Sequence, residues 1–81
     1  MEPNEIARRI EKAFPGATAD VKGADNHYSA RIVSDRFEGK SRIEQHRMIY
    51  DLFQEEMASQ DIHALALKTL TPAQAADESN R

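Results

Sequence analysis

Two histidines stand near the start of similar runs of the chain, and they are the residues best suited to metal chemistry. His27 begins HYSARIVS and His63 is the second residue of IHALALKTL, and both runs alternate like β-strands. Imidazole is a common metal ligand. The chain has no cysteine, which excludes a disulfide framework, a thiolate nucleophile and an all-cysteine metal site. The two rings form one site only if the fold brings them together.

Hydrophobic spacing predicts the elements that position these rings. The expected ranges are a helix over 3–14, strands over 17–22 and 27–34, a helix over 42–58 and a strand over 62–70. Ser41 and Glu44 match a capping box at the start of the long helix. The predicted apolar face of that helix consists of Ile43, His46, Ile49, Tyr50, Phe53 and Met57. From Thr71 on, a frayed tail is expected. This order predicts one α+β domain with helices on one face of a three-stranded sheet.

The predicted topology places both histidines at one edge of the sheet. The second strand, the long helix and the third strand form a crossover unit, which makes neighbouring strands parallel. Parallel strands start at the same edge, so His27 and His63 are expected near the hairpin turn. Asp25 and Asp61 are alternative ligands, although both also suit turns. Spacing alone leaves open that the histidines are only polar residues at strand starts. If the edge holds a metal, the remaining ligands come from another molecule.

Charge and composition exclude several functions. The net charge of −3 argues against a general binder of nucleic acid or anionic membranes. No apolar run approaches the roughly 20 residues of a membrane span, and MEPNEIARRI lacks a signal-peptide core, so a cytoplasmic protein is expected. No nucleophile is paired with a base, and so small a domain leaves little room for a water-excluding pocket. An enzyme is therefore not expected.

One group of cations departs from the acidic balance of the chain. The four residues that surround the Gly39 turn are Arg36, Lys40, Arg42 and Arg47. They are either a solvated face or a contact for an anion such as nucleic acid or glutathione. The turn reads FEGKS and lacks the GxxG loop with which KH domains clamp a nucleic-acid backbone.

Two stretches together resemble the BolA family. FEGKSRIEQHRMIY is followed by IHALALKTLTP, and the resemblance covers residues 4–74. The helix motif is matched by Phe37, Gly39, His46, Arg47 and Tyr50, and the last-strand motif by His63, Ala64, Leu65, Thr71 and Pro72. The resemblance implies a fold similar to the class II KH domain, in the order α-β-β-α-(short helix or turn)-β. It also implies a BolA-like domain over 1–72 and a flexible tail over 73–81.

The resemblance further implies a non-enzymatic adaptor whose partner is a monothiol glutaredoxin with a CGFS-type active site. In such complexes the two proteins bridge a [2Fe–2S] cluster, and the glutaredoxin's cysteine and a bound glutathione hold one iron. His63 matches the last-strand ligand of the other iron. His27 is the candidate for the hairpin ligand, because the loop KGADN is shorter than in many members. Asp25, a water molecule or a cluster-free complex are the alternatives.

The implied role is iron–sulfur cluster trafficking or iron regulation, with the chain a monomer or weak homodimer when alone. The second hypothesis is a stress-linked transcriptional regulator that uses the KH-like fold. It would contact DNA through Arg36, Lys40, Arg42 and Arg47.

Overall fold

The structure is a computed structural model that describes residues 1–79. Its helices are α1 (Pro3–Ala13), α2 (Arg42–Tyr50), α3 (Gln54–Ser59) and α4 (Pro72–Ser79), and its strands are β1 (Thr18–Ala24), β2 (His27–Val33) and β3 (Ala64–Leu70). Short 3₁₀ turns lie at Asp35–Phe37 and Asp51–Phe53. The predicted order is confirmed, with the long helix divided into α2, a 3₁₀ turn and α3. Over the same residues, no helix is long and apolar enough to cross a bilayer.

The strands form a mixed sheet in the order β1-β2-β3. Strands β1 and β2 are antiparallel, whereas β2 and β3 are parallel. Tyr28 pairs with Leu65, and Ala30 pairs with Leu67, so the core-facing side chains of β2 and β3 stand side by side. The α+β fold with a mixed sheet is therefore confirmed, and the likeness to class II KH domains stays a prediction.

Helices α1 and α2 pack on one face of this sheet and bury its apolar side chains. Ile6 and Ile10 lie one helical turn apart on α1, and both are fully buried. They join Ile32 of β2, Ile49 of α2 and Phe53 in one core. Burying each such side chain contributes about 1.5–3 kcal/mol. The helices thus fix the sheet from one side and leave its strand starts at the surface.

The start of α2 is held by the capping box that the sequence predicts. The hydroxyl of Ser41 accepts from the Glu44 amide at 3.2 Å, and the Ser41 amide donates to the Glu44 carboxylate at 2.9 Å. The hydrogen bond from the Ser41 amide is the largest cause of a lowered pKa of Glu44, because it favours the ionised carboxylate. The box begins α2 immediately after the Gly39 turn, as expected.

A buried glutamine joins α2 to the sheet. Gln45 is 8% exposed, and its side-chain amide donates to the carbonyls of Phe37 and Lys40, each at 3.0 Å. Its carbonyl oxygen accepts from the Thr69 hydroxyl at 2.7 Å. Across the described residues, no buried side-chain nitrogen or oxygen lacks a partner. This network fixes the register of α2 against β3.

Two expectations about the helices are wrong. Ile43 was assigned to the apolar face, but it is 65% exposed. The buried residues of α2 are Gln45 and Ile49, and Ile43 lies about 200° around the helix from Gln45. The segment expected as a frayed tail instead forms α4 as far as Ser79. Residues 80 and 81 of that expected tail lie outside the described range.

Candidate metal centre

The hairpin turn sets the position of the first histidine. Asp25 and Asn26 join β1 to β2 with φ angles of 55° and 66°. Positive φ at both central residues is typical of a type I′ turn, which aspartate and asparagine tolerate. Gly23 has a φ of 141°, and a Cβ there would lie 2.1 Å from the His27 carbonyl oxygen and 2.8 Å from the Tyr28 Cα. The tight turn therefore places His27 at the first position of β2.

The same turn also holds the second histidine. The carbonyl oxygen of Asn26 accepts hydrogen bonds from the amides of His63 at 2.7 Å and Ala64 at 3.1 Å. Ile62 precedes His63 and is 1% exposed, which anchors the segment in the core. The backbones of both histidines are thus connected to one two-residue turn.

The two imidazole rings lie next to each other at this edge. The ring centroids of His27 and His63 are 5.0 Å apart, with 55° between the ring planes. Both residues are exposed. Strand alternation does not constrain His63, because β3 begins one residue later, at Ala64. The structure therefore brings together the two residues that the topology places at one edge, while their role as ligands stays a prediction.

A backbone contact determines which nitrogen of His27 can bind a metal. Nδ1 of His27 lies 2.9 Å from the carbonyl oxygen of Asp25. A carbonyl oxygen only accepts, so Nδ1 carries the hydrogen and the Nε2 lone pair remains available. Asp25, an alternative ligand in the sequence analysis, thus contributes its backbone to orienting His27.

The ring separation fits two ligands of one tetrahedral metal, and the number of ligands suits half of an iron–sulfur cluster better than a complete zinc site. Two imidazoles that bind one tetrahedral metal have centroids about 5 Å apart, given metal–nitrogen distances of about 2.0–2.1 Å. The separation in the structure is 5.0 Å. Within residues 1–79, no three His, Cys, Asp or Glu residues are grouped so that they could hold a metal ion. A structural zinc needs four ligands, whereas an iron of a [2Fe–2S] cluster can take two histidines.

Two of the four cations of the alternative hypothesis line one groove. Lys40 and Arg42 line a groove of 610 Å³ between α2 and β3. Lys68 lines the same groove, and no sequence pattern predicts this because only the fold brings β3 beside α2. Arg36 and Arg47 do not line it. The structure thus supports a smaller basic groove than the four residues suggested.

Comparison with known proteins places the chain in a family. The family model for BolA-like proteins matches residues 7–74. SufE-like protein 1, chloroplastic/mitochondrial, of Arabidopsis thaliana is 50% identical over 79 residues, which cover 91% of this chain and 21% of that protein. BolA-like protein 1 of Mus musculus is 41% identical over 74 residues, which cover 91% and 51% of the two chains. Acid stress protein IbaG of Escherichia coli (strain K12) is 33% identical over 74 residues, covering 91% and 88%. The chain therefore spans about half of the mouse relative and about a fifth of the plant relative.

Solved structures show the same fold. A bolA protein homologue from Coxiella burnetii matches with a TM-score of 0.79 and 33% identity, covering 100% of this chain and 99% of that chain. The BolA domain of SufE1 from Arabidopsis thaliana matches with a TM-score of 0.78 and 37% identity, covering 88% and 92%. The family match extends over most of the chain, including the long helix and the His63 strand. This chain belongs to the BolA family.

Proposed function

We propose that this chain is a non-enzymatic adaptor that binds a monothiol glutaredoxin and supplies two ligands to a shared [2Fe–2S] cluster. His27 and His63 bind one iron, and the partner's cysteine and glutathione bind the other. The observation that carries the proposal is the exposed pair of imidazoles with centroids 5.0 Å apart. The resemblance to BolA proteins supports it, because His63 matches the last-strand ligand and His27 starts the strand after the hairpin loop.

The chain's own residues prepare half of the coordination. The Asn26 carbonyl holds the backbone of His63, and the Asp25 carbonyl keeps the His27 hydrogen on Nδ1. Both rings are exposed, so a partner reaches them without opening the fold. When bound, the cluster supplies one-electron chemistry, and histidine in place of cysteine raises its potential. The proposed role is trafficking of the cluster or regulation by iron, in the cytoplasm.

Visible circular dichroism of a cluster-loaded monothiol glutaredoxin tests this proposal. Adding the chain is expected to change the cluster spectrum, and the change is lost with His63→Ala and with His27→Ala. The matched control is His46→Ala, which removes the third histidine of the chain. His46 is half-buried, packs edge-on against Tyr50 with centroids 6.4 Å apart, and lies on α2 away from the turn. It is expected to leave the spectral change intact.

The possible results separate the ligand assignments. An unchanged spectrum with the wild-type chain contradicts the shared cluster. If the spectral change is lost with His63→Ala but not with His27→Ala, the second ligand is Asp25 or a water molecule. Sedimentation with cluster-free glutaredoxin shows whether a complex forms without any cluster. Equal losses in all three variants would indicate a general disturbance of the fold and contradict the assignment.

A second candidate function is a stress-linked transcriptional regulator, and the basic groove favours it. Lys40, Arg42 and Lys68 line one groove beside the start of α2. One relative carries the name acid stress protein IbaG. We expect sequence-selective DNA binding at physiological salt that falls when Lys40 and Arg42 become alanine, measured by fluorescence anisotropy. Binding without preference among sequences would contradict this role, as the net charge of −3 already predicts weak, salt-sensitive affinity.

A further inference from the structure

A second polar cluster lies on the face of the sheet opposite the core. Arg31 of β2 and Lys68 of β3 are partners in the parallel register. Strand alternation directs them away from Ala30 and Leu67, which belong to the core side. Glu78 of α4 binds both cations, with one oxygen 2.9 Å from the Arg31 guanidinium and the other 2.8 Å from the Lys68 ammonium. A single carboxylate thus occupies two neighbouring donors.

This contact holds α4 only weakly. The side chains of Arg31, Lys68 and Glu78 are 41%, 60% and 36% exposed, and ion pairs in such positions contribute little to stability. None of the residues of α4 is buried. An eight-residue helix is also shorter than the roughly 12–15 residues at which isolated helices become marginally stable. Helix α4 can therefore leave the sheet without unfolding the core.

The surface beneath Glu78 complements a negatively charged ligand. A depression of 310 Å³ adjoins the ion pairs, and its lining includes Arg31, Lys68, Lys22, Asp20 and Ser29. The lining therefore contains three cations and one carboxylate, Asp20, and Glu78 adds a second carboxylate only while α4 is docked. Arginine and lysine donors in this arrangement make charge-assisted hydrogen bonds to both oxygens of a carboxylate.

We propose that Arg31 and Lys68 form a binding site for an acidic peptide segment of a partner protein, and that Glu78 occupies this site in cis. A partner carboxylate takes the same two donors when α4 detaches. Because Glu78 is attached to the same chain, its effective concentration at the site is on the order of millimolar. It therefore competes with acidic peptides for Arg31 and Lys68. An acidic peptide is favoured over nucleic acid because the group already seated there is a carboxylate, whose two oxygens match the Arg31 and Lys68 donors one to one.

Fluorescence anisotropy with a labelled oligoglutamate peptide tests this site in the full chain. Glu78→Gln removes the competing carboxylate, and we expect it to increase peptide affinity about tenfold over the wild type. The matched control is Asp77→Asn, which removes the same charge from the neighbouring exposed residue. Asp77 takes part in none of the ion pairs found within residues 1–79. The double variant Glu78→Gln with Lys68→Gln is expected to lose the gain.

The outcomes decide among three explanations. A gain with Glu78→Gln that is absent in Asp77→Asn and reversed by Lys68→Gln supports the carboxylate site. Equal gains in Glu78→Gln and Asp77→Asn would show a net-charge effect and overturn the proposal. No binding in any variant, or a gain for a labelled single-stranded oligonucleotide in place of the peptide, also overturns it. Peptide-induced amide shifts in β2 and β3 confirm that the variants are folded and locate the bound peptide.

Discussion

Replacing Gly23 by alanine should damage both the stability of the hairpin and the candidate metal centre. The new Cβ would lie 2.1 Å from the His27 carbonyl oxygen and 2.8 Å from the Tyr28 Cα, both backbone atoms that cannot rotate away. Alanine at a φ of 141° also costs about 1–3 kcal/mol through backbone strain. Relief of the overlap requires the strands to separate locally, which removes about 1 kcal/mol per weakened hydrogen bond. We therefore expect a loss of about 3 kcal/mol in the free energy of unfolding.

Gly39→Ala is the matched control for this prediction. Gly39 also has a positive φ, of 76°, but a Cβ there meets no atom within 4 Å. Its replacement should cost only the backbone penalty of about 1–2 kcal/mol. The two variants therefore share the loss of glycine flexibility and differ in the collision with the strand that carries His27.

Urea unfolding followed by far-UV circular dichroism measures the difference. With a denaturant dependence of about 1 kcal/mol per molar urea for a small domain, Gly23→Ala should unfold at a urea concentration about 1–2 M below that of Gly39→Ala. Without urea, Gly23→Ala should also weaken the spectral response of the glutaredoxin cluster, since His27 must move with its carbonyl group. Equal midpoints for the two variants would refute the argument that the tight turn leaves no room for a side chain.

Three further predictions concern other parts of the chain. Gln45→Leu should reduce the free energy of unfolding by about 2–4 kcal/mol in urea titrations, because two carbonyls and the Thr69 hydroxyl lose their partner. A loss no larger than that of an ordinary surface substitution would show that these hydrogen bonds do not stabilise the fold. Nitrogen-15 NMR of neutral His27 should show the hydrogen on Nδ1, whereas the opposite tautomer would disprove the contact with the Asp25 carbonyl. Hydrogen bonds from Lys68 and Arg31 lower the pKa of Glu78 from 4.5 to about 2. Because the pKa is lower in the folded state, the ionised form of Glu78 stabilises the docked position of α4. This stabilisation is fully present above pH 4.5 and is lost progressively as the pH falls towards about 2. Amide shifts of α4 should follow that titration in the wild type but not in Glu78→Gln.

The order of elements could be predicted because it depends on local periodicity. The alternation in HYSARIVS and the 3.6-residue spacing around Ile49 report which side chains face the core, and both survive in the structure. The division of the long helix at Asp51–Phe53 could not be predicted, because a 3₁₀ turn preserves nearly the same apolar spacing. The spacing also predicts Ile43 on the apolar face, because the pattern does not show that a glutamine, Gln45, takes the buried position in the first turn of α2.

Hydrophobic spacing does not predict helix α4, although the local sequence contains a helix cap at its start. Thr71 and Gln74 form a reciprocal cap: the Gln74 amide donates to the Thr71 hydroxyl at 3.2 Å, and the Thr71 amide donates to the Gln74 side chain at 2.9 Å. With Pro72 in the first turn, the stretch TPAQ is typical of a helix start. The apolar stripe that usually reveals a helix is absent, because α4 buries no residue and is held through Glu78. That contact joins residues of β2, β3 and α4, and local sequence does not contain it.

The topology predicts where the candidate metal centre lies, but not the backbone contact that brings the two histidines together. Parallel topology alone places His27 and His63 at one edge. Alternation, however, puts His63 in register with Leu65 and Leu67 of a strand starting at residue 62, and His27 on the polar side of its own strand. In the structure the Asn26 carbonyl accepts hydrogen bonds from both the His63 and the Ala64 amides, and β3 begins only at Ala64, so alternation along β3 does not fix the side of His63. These contacts order the backbones of the two histidines during folding, when packing of the core offsets the loss of conformational freedom. If the proposed complex forms, its partner does not have to order these backbones on binding, so its affinity should depend on the turn as well as on the imidazoles themselves.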